Sequence, residues 1–219
     1  MIPCRVKTFV LIICTALLIP LLLFLVGLVR SLWDISAITP VEETLSFTVS
    51  DSEVRGECLF RYSSNSPRQV LLPLIFPFPV DSEHPFPSAL SLRDETGRAR
   101  GFVRAGSAIC FTLAIPPGST GTLSLSYRQQ TGSSRSFGWI IAMNDFCRRP
   151  LQKALYSVTV PAGHQMEKSS PEPVTVNKKG AESEYLFSLD GAAPEKGGLF
   201  SFSWGPAEEA PERSESTTE

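Results

Sequence analysis

Twenty-one consecutive uncharged residues, Phe9 to Val29, constrain this chain more than anything else in it. They read FVLIICTALLIPLLLFLVGLV and are bounded by Lys7 and Arg30. As a helix rising about 1.5 Å per residue, the run reaches roughly 30 Å, one bilayer core. Pro20 and Gly27 do not forbid this, because the surrounding turns still satisfy most backbone groups. Burying the run inside a soluble core would need other long helices, and the rest of the chain shows no such periodicity. A cleaved secretory leader would have a shorter apolar region followed by small residues. Here Arg30 and Trp33 follow, and Ile35-Ser36-Ala37 is a poor cleavage match. Cys14 sits mid-run behind Ile13, which suits a lipoprotein signal poorly. The run therefore reads as an uncleaved signal anchor held in membrane lipid.

Flanking charge sets the expected orientation. The N-terminal side carries the amino terminus, Arg5 and Lys7; the other side carries Arg30, then Asp34, Glu42 and Glu43. Positive-inside logic places residues 1–8 in the cytoplasm and residues 31–219 outside it, in a periplasm or the extracellular space. Trp33 falls where an interfacial aromatic would mark the outer end of the span. The overall 42% hydrophobic content conceals this division, since 22 of the first 30 residues are hydrophobic.

Residues 30–40 read as a juxtamembrane linker ending at Pro40, and residues 41–204 as one β-domain. Apolar residues alternate with period two between Pro, Gly and Ser turns. Leu45, Phe47 and Val49 share a face, as do Val54, Cys58, Phe60 and Tyr62. Ile109 to Ile115, Leu123 to Tyr127 and Phe137 to Met143 alternate in the same way, as do Tyr156 to Val160, Tyr185 to Leu189 and Phe200 to Trp204. QVLLPLIF (69–76) is a continuous apolar run, the pattern of a strand covered on both faces, with Pro73 implying an edge or bulge. About ten to twelve short strands predict an all-β, antiparallel β-sandwich behind one transmembrane helix. Residues 145–154 could form one helical turn. The end, 205–219, has five Glu, one Arg and no large apolar residue, and reads as a disordered acidic tail.

Outside the leader stand Cys58, Cys110 and Cys147, an odd number that permits at most one internal disulfide. Alternation puts Cys58 on an apolar face and Cys110 opposite Ile109 and Phe111, which weakens a bridge between them. Charge is partitioned. Positions 55–153 hold 12 basic and 6 acidic residues, and positions 154–219 hold 5 and 11. Arg148, Arg149 and Lys153 concentrate the basic character, which could face anionic lipid or an anionic polymer. The alternative is that the arginines decorate solvent faces and pair with the acidic half. A nucleic-acid partner is not expected of an acidic chain held outside the cytoplasm.

The chain lacks HExxH, GxSxG, P-loop and GxGxxG patterns, has no Cys/His spacing that suits zinc, and implies no cofactor or metal. His84, Cys110 and Arg128 follow one another in the order of the catalytic residues of sortase-like transpeptidases. A Cys–His pair could supply a thiolate there. The Thr-Cys strand ending of that family is absent, and the chain reads SAIC instead. Residues 73–87, PLIFPFPVDSEHPFP, set Phe76, Phe78 and Phe86 among five prolines. Rigid aromatics of this kind suit partner recognition if exposed, and cap the end of a sandwich if folded back. The expectation is a non-catalytic binding or assembly module of the cell envelope, with an envelope or membrane protein as partner. A Cys-dependent enzyme and an anionic lipid- or polymer-binding domain are the alternatives.

Overall fold

A computed structural model describes residues 18–22, 25, 27, 35–140, 149, 151–188 and 199–207. Apart from helical residues at 18–22, 25, 27 and 35–36, the regular structure in these residues is β. No helix among them is long and apolar enough to cross a membrane. Most of the expected span, Phe9–Val29, lies outside the described residues, as do Met143, Cys147, Arg148, Leu189 and the tail beyond 207. Leu18, Ile19, Leu21, Leu22 and Leu25 are exposed apolar side chains.

The largest sheet has seven strands. Its order across is β11 (Thr175–Lys179), β12 (Glu182–Ser188), β9 (Lys153–Val160), β1 (Ile38–Val49), β2 (Glu53–Ser64), β7 (Thr120–Gln130) and β4 (Ser88–Asp94). All neighbours run antiparallel except β1 and β9, which are parallel. β1 begins at Ile38, inside the stretch expected as linker, and a register shift between Pro40 and Glu42 absorbs the proline. Two three-stranded sheets complete the fold. One is β3 (Val70–Pro77), β6 (Ala108–Ile115) and β5 (Val103–Ala105); the other is β10 (His164–Ser170), β13 (Leu199–Pro206) and β8 (Ser136–Ile140).

Both small sheets pack on the same side of the large one. Phe60 on β2 meets Phe76 on β3 at 4.6 Å between ring centroids. Phe47 on β1 meets Phe137 of β8 at 5.2 Å and Phe202 of β13 at 5.8 Å. Tyr156 and Phe187 of the large sheet both pack edge-on against Phe200. The period-two apolar faces read from the sequence are these inner faces, and offset aromatic pairs fill the space between the layers.

β3 is an edge strand, as Pro73 implies, but it is buried on one face only. Val70, Leu72, Leu74 and Phe76 are buried, while Leu71 and Ile75 are exposed. Cys58 and Cys110 are free thiols, Cys58 between the layers and Cys110 on the outward face of β6.

Candidate functional site

The outer face of β8, β13 and β10 forms an open trough of about 460 Å³. Its floor follows from register. Ser136, Ser203 and Lys168 stand opposite one another in one row, and Gly138, Ser201 and Ser170 in the next. On β8 and β13 the serines simply alternate with the buried Phe137, Phe200 and Phe202. Lys168 needs a further device. Strict alternation would put it on the inward face with Met166. The register shifts between Met166 and Lys168, and the extra residue Glu167 turns Lys168 outward beside Ser203. Leu199 closes one end and leans over Gly138, where a Cβ would sit 3.1 Å from Leu199 Cδ1. A second hollow of about 520 Å³ shares Lys168 and Ser169 and continues across β10 to Glu172 and Tyr185.

The far wall is the proline-rich loop 78–87. Asp81 Oδ1 accepts the backbone N–H of Glu83 and of His84, at 2.8 and 2.7 Å, which folds the loop into a tight turn. His84 Nδ1 hydrogen-bonds with the same carboxylate at 2.9 Å, and its Nε2 with the Ser136 carbonyl oxygen at 2.9 Å. The imidazole thus ties the loop to the edge of β8. The hydrogen bond from His84 is the main cause that holds the Asp81 carboxyl below its usual range. Glu83 accepts from Ser133 N–H at 2.9 Å, and Gln129 Nε2 donates to Pro79 O at 2.7 Å and Pro85 O at 3.1 Å. The wall is fixed at four points. The hydroxyls of Ser136, Ser170, Ser201 and Ser203 make no hydrogen bond to a described residue, and Lys168 makes no ion pair with one. Among the described residues, the trough therefore offers serine hydroxyls and a lysine ammonium that no protein group engages.

Of the candidates named from sequence, His84 lines the trough, and the other described ones fall elsewhere. Cys110 points outward from β6, whereas Arg128 points outward from β7, on the opposite side of the sandwich. Sheets pack about 10 Å apart, so the two side chains are separated by both layers. His84 offers Cys110 no base, since both ring nitrogens are engaged, Nδ1 with Asp81 and Nε2 with the Ser136 carbonyl oxygen. The sortase-like arrangement is not assembled. Phe76 and Phe78 are buried and Phe86 is half-buried. Phe78 packs edge-on against Phe86, Tyr127 and Trp139. Their apolar rings gain more from the interlayer space than from water, so these aromatics cap the core and offer no exposed recognition surface. Arg149 donates to Thr39 Oγ1 at 2.8 Å, and Lys153 lies 3.5 Å from Glu42. Other arginines of the basic stretch also find their partners in the N-terminal half: Arg61 on Glu42, Arg100 on Asp94, Arg135 on Asp51. Among the described residues, none of these pairs with the acidic C-terminal half.

One titratable residue was missed. Glu43 is 6% exposed and lies between the layers. Its Oε1 accepts from Tyr156 Oη at 3.0 Å and from Trp139 Nε1 at 3.3 Å, which joins β1 to β9 and β8. Burial pushes its carboxyl up to about 7, against the opposing pull of the two donors. Burial also raises the Cys58 thiol and the Tyr127 and Tyr156 phenols, which stay neutral. The signal was present, because the face of Leu45, Phe47 and Val49 extends back by two residues onto Glu43.

No family model matches the sequence, and no curated protein sequence is similar to it. Solved structures align with this chain at low sequence identity. A protein from Legionella pneumophila, described as a "putative nutrient binding protein", aligns over 78% of this chain and 68% of its own length. Its TM-score is 0.62 at 11% identity. An M1 zinc metallopeptidase variant from Deinococcus radiodurans aligns over 78% of this chain and 42% of its own, with a TM-score of 0.47 at 16% identity. The first likeness shows a shared β fold.

Proposed function

We propose that this chain is a single-pass, membrane-anchored protein whose β-sandwich stands outside the cytoplasm as a non-catalytic binding module of the cell envelope. Its ligand is a small polar solute with an anionic group, held in the trough over β8, β13 and β10. The observation that carries this reading is the convergence on one open floor of four serine hydroxyls and Lys168, none of them engaged by a described residue. Lys168 supplies charge, the serines donate to ligand oxygens, and Leu199 covers an apolar part. The fold-level neighbour from Legionella, described as binding a nutrient, supports a solute as ligand. The uncharged run 9–29 and its flanking charges support the anchor and its orientation.

Thermal unfolding of the full-length protein in nanodiscs tests the site, with a panel of small carboxylates, phosphates and neutral sugars. A solute present at a hundred times its Kd stabilises by about 2.7 kcal/mol. The expected result is a rise in Tm with an anionic member of the panel, lost in Lys168→Glu and in Ser201→Trp, which fills the floor. Stabilisation by neutral sugars alone, or a rise unchanged in both variants, overturns the assignment. A C-terminal reporter that is active only outside the cytoplasm tests the topology separately.

A further inference from the structure

The outward face of β3, β6 and β5 carries no charged side chain. Leu71, Pro73, Ile75 and Pro77 line it on β3, with Ala114, Thr112, Cys110 and Ala108 opposite them on β6. Val103 extends the row of Ile75 and Cys110 onto β5. Leu71 is 60%, Ile75 41% and Val103 69% exposed. The sequence of β3 is that of a strand covered on both faces, and only one is covered. Two eight-residue strands about 27 Å long and the three-residue β5, about 4.8 Å apart, give a patch of roughly 300 Å². That is within the range of the largest apolar patch on a typical monomer, which is often functional. It is less than half of what each partner buries in a standard protein interface, which argues against a second copy or a protein partner held by this face alone.

A surface already tethered beside it needs much less, because the tether raises its local concentration. β1 begins at Ile38, so residues 30–37 reach at most about 28 Å from the end of the anchor. The tether enters at the end of the fold where β3 starts. Asn65 N–H donates to the Ala37 carbonyl oxygen at 3.2 Å, and Gly118 N–H donates to Ser66 O at 3.1 Å just beyond β6. Leu71, the second residue of β3, lies at this end. Exposed Arg68 precedes it and makes no ion pair with a described residue, which suits a headgroup phosphate.

We infer that the outer face of β3, β6 and β5 rests on the lipid bilayer to which the chain is anchored. The domain then lies on its side against the membrane, with the seven-stranded sheet turned away from it. This inference rests on the anchor proposed above.

Full-length protein in bilayers that contain a lipid with a photoactivatable acyl chain provides the test, read by peptide mapping. Adducts are expected in two places, the 9–29 peptide and the peptides of β3 and β6. Leu71→Asp combined with Val103→Asp is expected to lower the β3 and β6 adducts about tenfold and to leave those of the anchor unchanged. Both positions are exposed, and an unchanged melting temperature confirms the fold. Adducts confined to the anchor overturn the docked face and leave the anchor standing. Copies crosslinked through β3 or β6 without lipid adducts there assign the face to a second chain and overturn the inference. Adducts in neither place overturn the anchor, and the docked face with it.

Discussion

The two three-stranded sheets lie on the same seven-stranded partner and bury the same kinds of residue, yet their outer faces are opposites. β3 and β6 show Leu71, Ile75 and Cys110 to the outside; β8, β13 and β10 show Ser136, Ser201, Ser203 and Lys168. Inner positions have little freedom, because an interlayer space about 10 Å thick must be filled with apolar volume. Outer positions are released from that demand, so their composition reports what each face meets. An apolar outer face and a hydroxyl-lined one, in the same small domain, point to two different neighbours.

Core truncation should break this symmetry most strongly. Phe47 touches the rings of Phe137, Trp139, Phe200 and Phe202, whereas Phe76 touches those of Phe60 and Phe111. Each Phe→Ala change is expected to cost about 3–5 kcal/mol in urea unfolding, with Phe47→Ala the more costly. Equal costs would show that the two halves are packed to the same degree.

Glu43 belongs to the β8 half alone, since Trp139 and Tyr156 are its donors. Its folded pKa of about 7 stands above the unfolded value, so the native state holds the proton longer. Stability from this group is full below the unfolded pKa of about 4.3 and falls as pH rises toward 7, by on the order of 3 kcal/mol. Glu43→Gln is expected to flatten that slope and to raise stability at pH 8 relative to wild type. A wild-type slope of the opposite sign between pH 5 and 7 in the difference between the two proteins would refute the buried carboxyl. Asp81 has the opposite sign. Its depressed pKa contributes stability at neutral pH that is lost only in stronger acid.

Glycines sharpen the comparison on a smaller scale. Tyr127 folds its ring over Gly56, its partner across the strand pair, and would collide with any Cβ there. Gly56→Ala is expected to cost about 1–3 kcal/mol. Gly138→Ala meets only the flexible end of Leu199 and should cost less than about 1 kcal/mol, while narrowing the trough. Smallest of all, Leu71→Asp and Ser201→Ala in detergent should each change stability by within about 0.5 kcal/mol. Leu71→Asp should also lower the lipid adducts of β3 in the photocrosslinking experiment, and Ser201→Ala should not.

Much of the fold was legible because burial on one face writes a period of two. Leu45, Phe47 and Val49, or Phe200, Phe202 and Trp204, announce both a strand and its inward face. The strands not foreseen, β4, β5, β10 and β11, are polar edges or next to them, where no alternating core pattern is required. In β10 the pattern is further scrambled by the extra residue Glu167. The trough was illegible for the same reason. Ser136, Ser201 and Ser203 look like ordinary outward positions until pairing sets them in rows, and Lys168 joins them only through a register shift. Phe76 at the end of β3 and Phe78 in the loop were legible as unusual, but their direction was not, since a ring beside proline can turn either way.

The amino-acid order alone determined the all-β class, the inward faces, the edge character of β3 and the presence of one long uncharged run. These follow from local periodicity, from proline's missing N–H and from length. Which strands lie side by side was decided only in the tertiary structure, and with it the separation of Cys110 from Arg128, the burial of Glu43 and the placing of two unlike outer faces. Pairing between strands distant in the chain depends on how whole faces fit across the interlayer space, and no short stretch of sequence carries that information.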